Sequence, residues 1–205
     1  MKVNIANIVK STHTLGPGSR AVVWVQGCPF RCPSCIAPDW QPYEGGQQLT
    51  PAKVVQQLIT DEIKGITISG GEPFSQAEAL AEVVYLAQQR KPELDIICFT
   101  GYRYETLLER PPNAGAHRLI SLLDVLIDGP YVPAMNDGIG LRGSSNQRII
   151  HLTDRLKRYT LETAPRKMEM LIEDDHLTFV GIPSPMIRKA LSPFMVTKGA
   201  PYERI

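Results

Sequence analysis

Residues 27–35 read GCPFRCPSC, so Cys28, Cys32 and Cys35 follow one another in a C-x3-C-x2-C spacing. Three of the chain's four cysteines stand in that one stretch. Buried structural thiols belong on strands and helices, whereas this stretch carries Gly27, Pro29, Arg31 and Pro33 and reads as a loop. A structural zinc site takes four ligands, usually as two pairs. Here the fourth cysteine, Cys98, lies inside the run DIICFT, and His13 and His117 stand at no metal-ligand spacing. An iron–sulfur cluster is usually held by four thiolates. Three thiolates on a cubane leave one iron without a protein ligand. That suits catalysis for the reason that catalytic zinc keeps an open position.

The rest of the composition narrows the setting of this chemistry. The chain has 205 residues, 43% of them hydrophobic and 21% charged, with a formal net charge of +1. So balanced a charge gives no reason to expect a nucleic acid or an acidic membrane as partner. The start, MKVNIANIVKSTHTLGPGSR, has no apolar stretch of the signal-peptide kind, and the longest apolar runs, such as AVVWV, are strand-sized. The expected setting is the cytoplasm, where clustered cysteines point to metal or catalysis rather than disulfides.

The elements that must position the cysteines alternate in type. Ala21–Gln26 (AVVWVQ) predicts a strand running straight into the cysteine loop. Thr50 and Pro51 predict the N-cap and first residue of an amphipathic helix, AKVVQQLI. A strand over Gly65–Ser69 ends at Gly70-Gly71-Glu72-Pro73. Ser75 with Glu78 forms a capping-box pattern for a helix running to Arg90. Strands are predicted at Asp95–Thr100, Asp124–Asp128 and Arg148–Leu152, with helical pieces at Tyr104–Glu109 and His117–Leu123. This alternation predicts an α/β fold with a mainly parallel sheet, whose ligands gather at the carboxyl ends of the strands. KMEMLI and HLTFVGI flank Glu173-Asp174-Asp175 and predict a β-hairpin, followed by the proline-punctuated GIPSPMIRKALSPF. The expected division is a core over 1–154 and a C-terminal extension over 155–205.

GCPFRCPSC after one strand and GGEPF after the next resemble the radical S-adenosylmethionine (SAM) superfamily. The resemblance implies a partial, open (β/α) barrel of about five to six mainly parallel strands. It also implies a 4Fe-4S cluster on Cys28, Cys32 and Cys35, with SAM chelating the open iron. One electron from the reduced cluster would then cleave SAM to methionine and a 5′-deoxyadenosyl radical. Gly70, Gly71, Glu72 and Pro73 match the segment that contacts the SAM amino group, where glycines permit close backbone approach. GPG at Gly16–Gly18, Thr100-Gly101-Tyr102, LIDGPY at 126–131 and RGSSNQRII at 142–150 are similar to activating enzymes of glycyl-radical proteins, the anaerobic ribonucleotide reductase activases among them. On that resemblance Asp128, Ser144 and Asn146 are further SAM-side candidates. A glycyl-radical enzyme is the implied protein substrate, and flavodoxin or ferredoxin the implied electron donor.

The match has departures. The family's aromatic residue before the third cysteine is Ser34 here, a His or Tyr after it is Ile36, and a basic residue after Asp-Gly is Pro130. These motivate a second reading, a stand-alone radical enzyme acting on a peptide or small molecule. A third reading is a non-enzymatic metal-binding module. Cys98 alone cannot hold a second cluster, which excludes auxiliary-cluster domains.

Overall fold

Four runs of apolar, largely β-branched residues form the centre of a mixed sheet. The computed structural model describes residues 1–32, 34–173, 176–191 and 202–203. Pro33, Asp174 and Asp175 of the predicted acidic turn, and Ser192–Phe194 of the proline-punctuated end therefore lie outside the described residues. In chain order the strands of the main sheet are β1 (Val3–Thr12), β2 (Arg20–Val25), β3 (Gln47–Leu49), β4 (Gly65–Gly70), β5 (Asp95–Thr100), β6 (Val125–Asp128) and β7 (Arg148–His151). Their spatial order is β3–β1–β2–β4–β5–β6–β7. The pairings β2–β4, β4–β5 and β5–β6 are parallel, while β3, β1 and β7 join antiparallel.

Among the described residues the main sheet thus has seven strands, beside the five to six of the barrel that the resemblance implies. β1 escapes a period-two reading because its register against β2 shifts between Ile5 and Asn7 and again between Val9 and Thr12. β3, three residues long, carries too little pattern to read. β7 is where the pattern predicts a strand, but it closes the sheet antiparallel.

Alternation along the central strands separates two faces. Val23, Ile66, Ile68, Ile96, Cys98 and Leu126 point to one side, where α1 (Pro51–Leu58), α2 (Ala77–Arg90), α3 (Tyr104–Glu109) and α4 (Ala116–Ser121) cover them. Each fully buried aliphatic side chain there stabilises the fold by about 1.5–3 kcal/mol. On the opposite face Val22 and Trp24 pack with Leu15, Trp40 and Val180, and Ile97, Val125 and Ile127 pack with Leu141, Leu156 and Leu161. Helices thus cover one face, and loops and the C-terminal segment cover the other. The two tryptophans lie with ring centroids 5.8 Å apart.

At the amino ends of the parallel strands Arg20 is fully buried. Its guanidinium donates to the Thr67 hydroxyl, the Ile66 carbonyl and the Asp95 carboxylate. Thr50 caps α1 as predicted, accepting from the Lys53 amide. The capping box predicted at Ser75 and Glu78 does not form. Residues 73–76 make a 3-10 turn whose cap is Glu72, and α2 begins at Ala77.

β8 (Met168–Glu173) and β9 (His176–Gly181) pair antiparallel as the predicted hairpin, and α5 (Pro185–Leu191) follows. Glu169 of β8 accepts from the Thr12 hydroxyl at 2.6 Å and the His13 amide at 2.9 Å, which seats the hairpin on the end of β1. No helix among the described residues is long and apolar enough to cross a membrane.

Candidate functional site

A cavity of about 210 Å³ opens at the carboxyl ends of β2, β4, β5 and β6, where the parallel direction of the strands gathers their loops. Cys28, Cys32 and Cys35 all line it, and so do Gly70, Gly71, Glu72 and Pro73. Two motifs that stand apart in the sequence therefore share one volume, because β2 and β4 are hydrogen-bonded neighbours.

The cysteine loop leaves β2 through Gln26, whose side-chain amide donates to the carbonyls of Asp39, Pro42 and Glu44 at 2.9, 2.8 and 3.2 Å. The Gly27 and Cys28 amides donate to the Trp40 and Gln41 carbonyls, each at 2.8 Å. These bonds bring the chain beyond Cys35 back beneath its own start. Phe30 lays its ring against Gly101 and meets Tyr102 edge-on at 4.8 Å. Arg31 takes a left-handed φ of 48° and is exposed.

The three thiols are free and half-buried. Burial pushes the Cys28 thiol up to about 11 and raises Cys32 as well. The cavity thus favours the neutral form of Cys28 and Cys32, and a bound cation is what would draw off their protons. The Ala37 amide already donates to Cys35 Sγ at 3.4 Å. No three His, Cys, Asp or Glu side chains among the described residues gather tightly enough for a single metal ion. A polynuclear cluster spreads its ligands more widely than one ion, so three thiols around one cavity are a donor set that fits iron–sulfur.

Gly70 and Gly71 answer to packing as well as to the cavity. A Cβ on Gly70 would stand 2.2 Å from the Val25 nitrogen, and one on Gly71 would stand 2.3 Å from the Gly27 carbonyl oxygen. The end of β4 can press against the cysteine loop only without side chains. Glu72 is buried and accepts from the Phe74 amide at 2.9 Å, the Thr100 hydroxyl at 2.8 Å and the Gly101 amide at 2.8 Å. Its carboxylate thereby joins β4 to β5. Burial nonetheless pushes its carboxyl up to about 7.

The other predicted residues stand behind the wall. Asp128 is fully buried and accepts from the Tyr104 amide at 2.8 Å and from Arg148. The Ser144 hydroxyl accepts from the Val132 amide at 3.0 Å, and the Asn146 side chain donates to the Pro130 carbonyl at 2.8 Å. From the same loops Gly129, Pro130, Tyr131 and Gln147 reach the cavity. Gln147 donates to the Gly129 carbonyl and accepts from the Gly143 amide, each at 2.8 Å. Sequence reasoning singled out its loop but not this residue. Nor did it single out Tyr131, Ile182 or Arg188, which also line the cavity. Their places depend on packing between distant parts of the chain.

Residues 14–150 match the family model described as a 4Fe-4S single cluster domain. The anaerobic ribonucleoside-triphosphate reductase-activating protein of Escherichia coli K12 is 34% identical over 146 residues, covering 67% of this chain and 91% of that protein. The protein of the same name from Enterobacteria phage T4 is 32% identical over 157 residues, covering 74% and 96%. The pyruvate formate-lyase-activating enzyme of Clostridium pasteurianum is 31% identical over 118 residues, covering 54% and 47%. The hairpin and α5 lie beyond the residues that the family model matches.

Proposed function

Because this chain belongs to the 4Fe-4S single cluster domain family and is a radical SAM enzyme of the activating kind, we propose that it installs a glycyl radical on a partner enzyme, an anaerobic ribonucleotide reductase being the first candidate. The observation that carries the reading is the shared cavity of the three cysteines and the Gly70–Pro73 segment. Cys28, Cys32 and Cys35 would hold a 4Fe-4S cluster, and Gly70, Gly71, Glu72 and Pro73 would form the SAM-facing wall. When bound, the reduced cluster and SAM would supply the radical chemistry for hydrogen-atom abstraction from a glycine Cα.

The chain's own residues orient and enclose. With Glu72 engaged by Phe74, Thr100 and Gly101, the Gly70–Gly71 backbone is the group proposed to face a cationic amine. Ser144 and Asn146 act at the wall through Val132 and Pro130, and Asp128 through the Tyr104 amide and Arg148. Trp24, Trp40 and Ile182 give the cavity apolar sides that keep water from a radical. Exposed Arg31 on the cysteine loop offers an acidic reductant, flavodoxin or ferredoxin, a point of contact. The mixed sheet is read as the wall of a partial (β/α) barrel, with 1–154 as core and 155–205 as extension. The cytoplasm is the proposed setting, since its reducing conditions keep thiols available.

The departures at Ser34, Ile36 and Pro130, with a C-terminal segment lining the cavity, favour a second reading, modification of a peptide or small molecule. Anaerobic reconstitution tests the chemistry first. Four irons per chain, an EPR spectrum that changes with SAM and release of 5′-deoxyadenosine are the expected results. Stoichiometric zinc, or a cluster indifferent to SAM, would remove both readings. A glycyl-radical EPR doublet on an added anaerobic reductase separates the first reading from the second.

A further inference from the structure

The chain beyond the matched family region turns back onto the cysteine loop. Val180 of β9 is buried with Trp24 and Trp40 beneath the cavity. Gly181 then adopts φ 135°, and a Cβ there would stand 2.4 Å from the Lys167 carbonyl oxygen, so glycine allows the chain to leave the hairpin at this point. Ile182 and Pro183 continue along the cavity wall. Arg166 fastens the approach, donating to Asn136 Oδ1 at 2.7 Å and to the Pro183 carbonyl at 3.3 Å. With Glu169 on β1, these contacts fix where α5 begins.

α5 carries Arg188 to the mouth of the site. Its Nη2 donates to the Ser34 carbonyl at 2.8 Å, and Nη1 donates to the Tyr131 hydroxyl at 3.0 Å. The guanidinium carbon lies 5.8 Å from the centre of the Tyr131 ring. Ser34 sits between Cys32 and Cys35, and Tyr131 belongs to the loop after β6. One planar fork thus spans two loops that approach the cavity from different strands. A lysine, with a single point of charge, cannot hold both acceptors in that geometry.

We propose that Arg188 is a positioning residue that latches the Cys32–Cys35 segment to Tyr131, so that the C-terminal extension completes the cluster site. The proposal rests on Cys28, Cys32 and Cys35 being the cluster's ligands. Arg188 touches none of their sulfurs. It acts by holding the backbone between two of them, which restrains the loop from swinging outward and releasing iron.

The test uses the full chain, reconstituted anaerobically with iron and sulfide, as wild type and as Arg188→Ala, Arg188→Lys and Tyr131→Phe. The readouts are the rate of iron transfer to an anaerobic chelator, the reduced cluster's EPR spectrum, and the thermal midpoint of the cluster-free chain. Losing charge-assisted bonds should speed iron release about tenfold in Arg188→Ala, with Arg188→Lys intermediate and Tyr131→Phe about two- to threefold faster. The thermal midpoint should stay near that of wild type. Equal release rates in wild type and Arg188→Ala would overturn the latch. So would faster release matched by a fall in thermal midpoint, which would mark Arg188 as a general stabiliser. If Arg188→Ala does not fold, Tyr131→Phe decides, and unchanged release overturns the proposal. A wild-type chain that takes up no iron would remove the site reading and the latch together, whereas a loaded wild type with unaltered variants removes the latch alone.

Discussion

The Glu72 carboxylate accepts a hydrogen bond from the Thr100 hydroxyl at 2.8 Å, tying the ends of β4 and β5 together beside the cavity. Burial has pushed that carboxyl up from 4.5 to about 7. Between those values the folded chain keeps the proton and the unfolded chain has released it. Stability of the cluster-free chain should therefore fall as pH rises from about 4.5 and level off near 7. At about 1.4 kcal/mol per pH unit, the gap sets an order of magnitude of about 3 kcal/mol. In Glu72→Gln that slope should vanish, while one backbone N–H loses its acceptor at a cost of about 1–3 kcal/mol at every pH. Urea midpoints of both proteins from pH 4.5 to 8 check this. Parallel curves would rule out Glu72 as the titrating group.

Gln26 is the hub of the cysteine loop's return. In Gln26→Ala the carbonyls of Asp39, Pro42 and Glu44 lose their shared donor. A loss of about 2 kcal/mol is expected, together with faster proteolysis between residues 38 and 46. Denaturant unfolding and mapping of the cleavage sites provide the measurement.

Gly71→Ala sets a methyl group against the backbone carbonyls of Gly27 and Trp40. Neither is the tip of a flexible side chain, so the cysteine loop must move. The expected cost is at least about 2 kcal/mol, with lower iron content after reconstitution. A variant with wild-type stability and iron content would mean that the β4 end and the loop can separate without consequence.

Arg20 provides the control at the far end of the sheet. Arg20→Ala leaves the half-buried Asp95 carboxylate without this cation and empties a fully buried site, at an expected cost of about 3–5 kcal/mol. For a chain of this length that corresponds to a thermal midpoint lower by roughly 6–20 °C. Below the new midpoint, iron binding should be that of wild type. Calorimetry and iron analysis on the same preparation separate the two effects.

The parallel centre of the fold was legible because β2, β4, β5 and β6 are apolar runs ended by glycine or turn residues. That same pattern placed the cysteines and Gly70–Pro73 at one edge, since both follow strands that became neighbours. β1 was not legible because its two register shifts break the alternation on which such reading depends. The capping box at Ser75 and Glu78 obeyed local rules, but Glu72 caps a 3-10 turn ahead of it and moves the helix start to Ala77. Asp128, Ser144 and Asn146 do not line the cavity, whereas Pro130, Tyr131, Asn136 and Gln147 from the adjoining segments do. Arg188 had no local signal. A lone arginine in a short helix gains its partners from the hairpin that aims it.

Ser34 and Arg188 are separated by 154 positions. A ribosome adding about 5–20 residues per second makes the cysteine loop roughly 8–30 s before it makes the arginine that bonds to it. The nascent chain can pair β1, β2, β4 and β5 in that interval while the mouth above the thiols is still open. Iron and sulfide delivered then meet an unlatched loop, and delivered after release they meet a fastened one. If Arg188 is the latch, the order of synthesis alone leaves the cysteine loop unfastened until α5 has been made and docked.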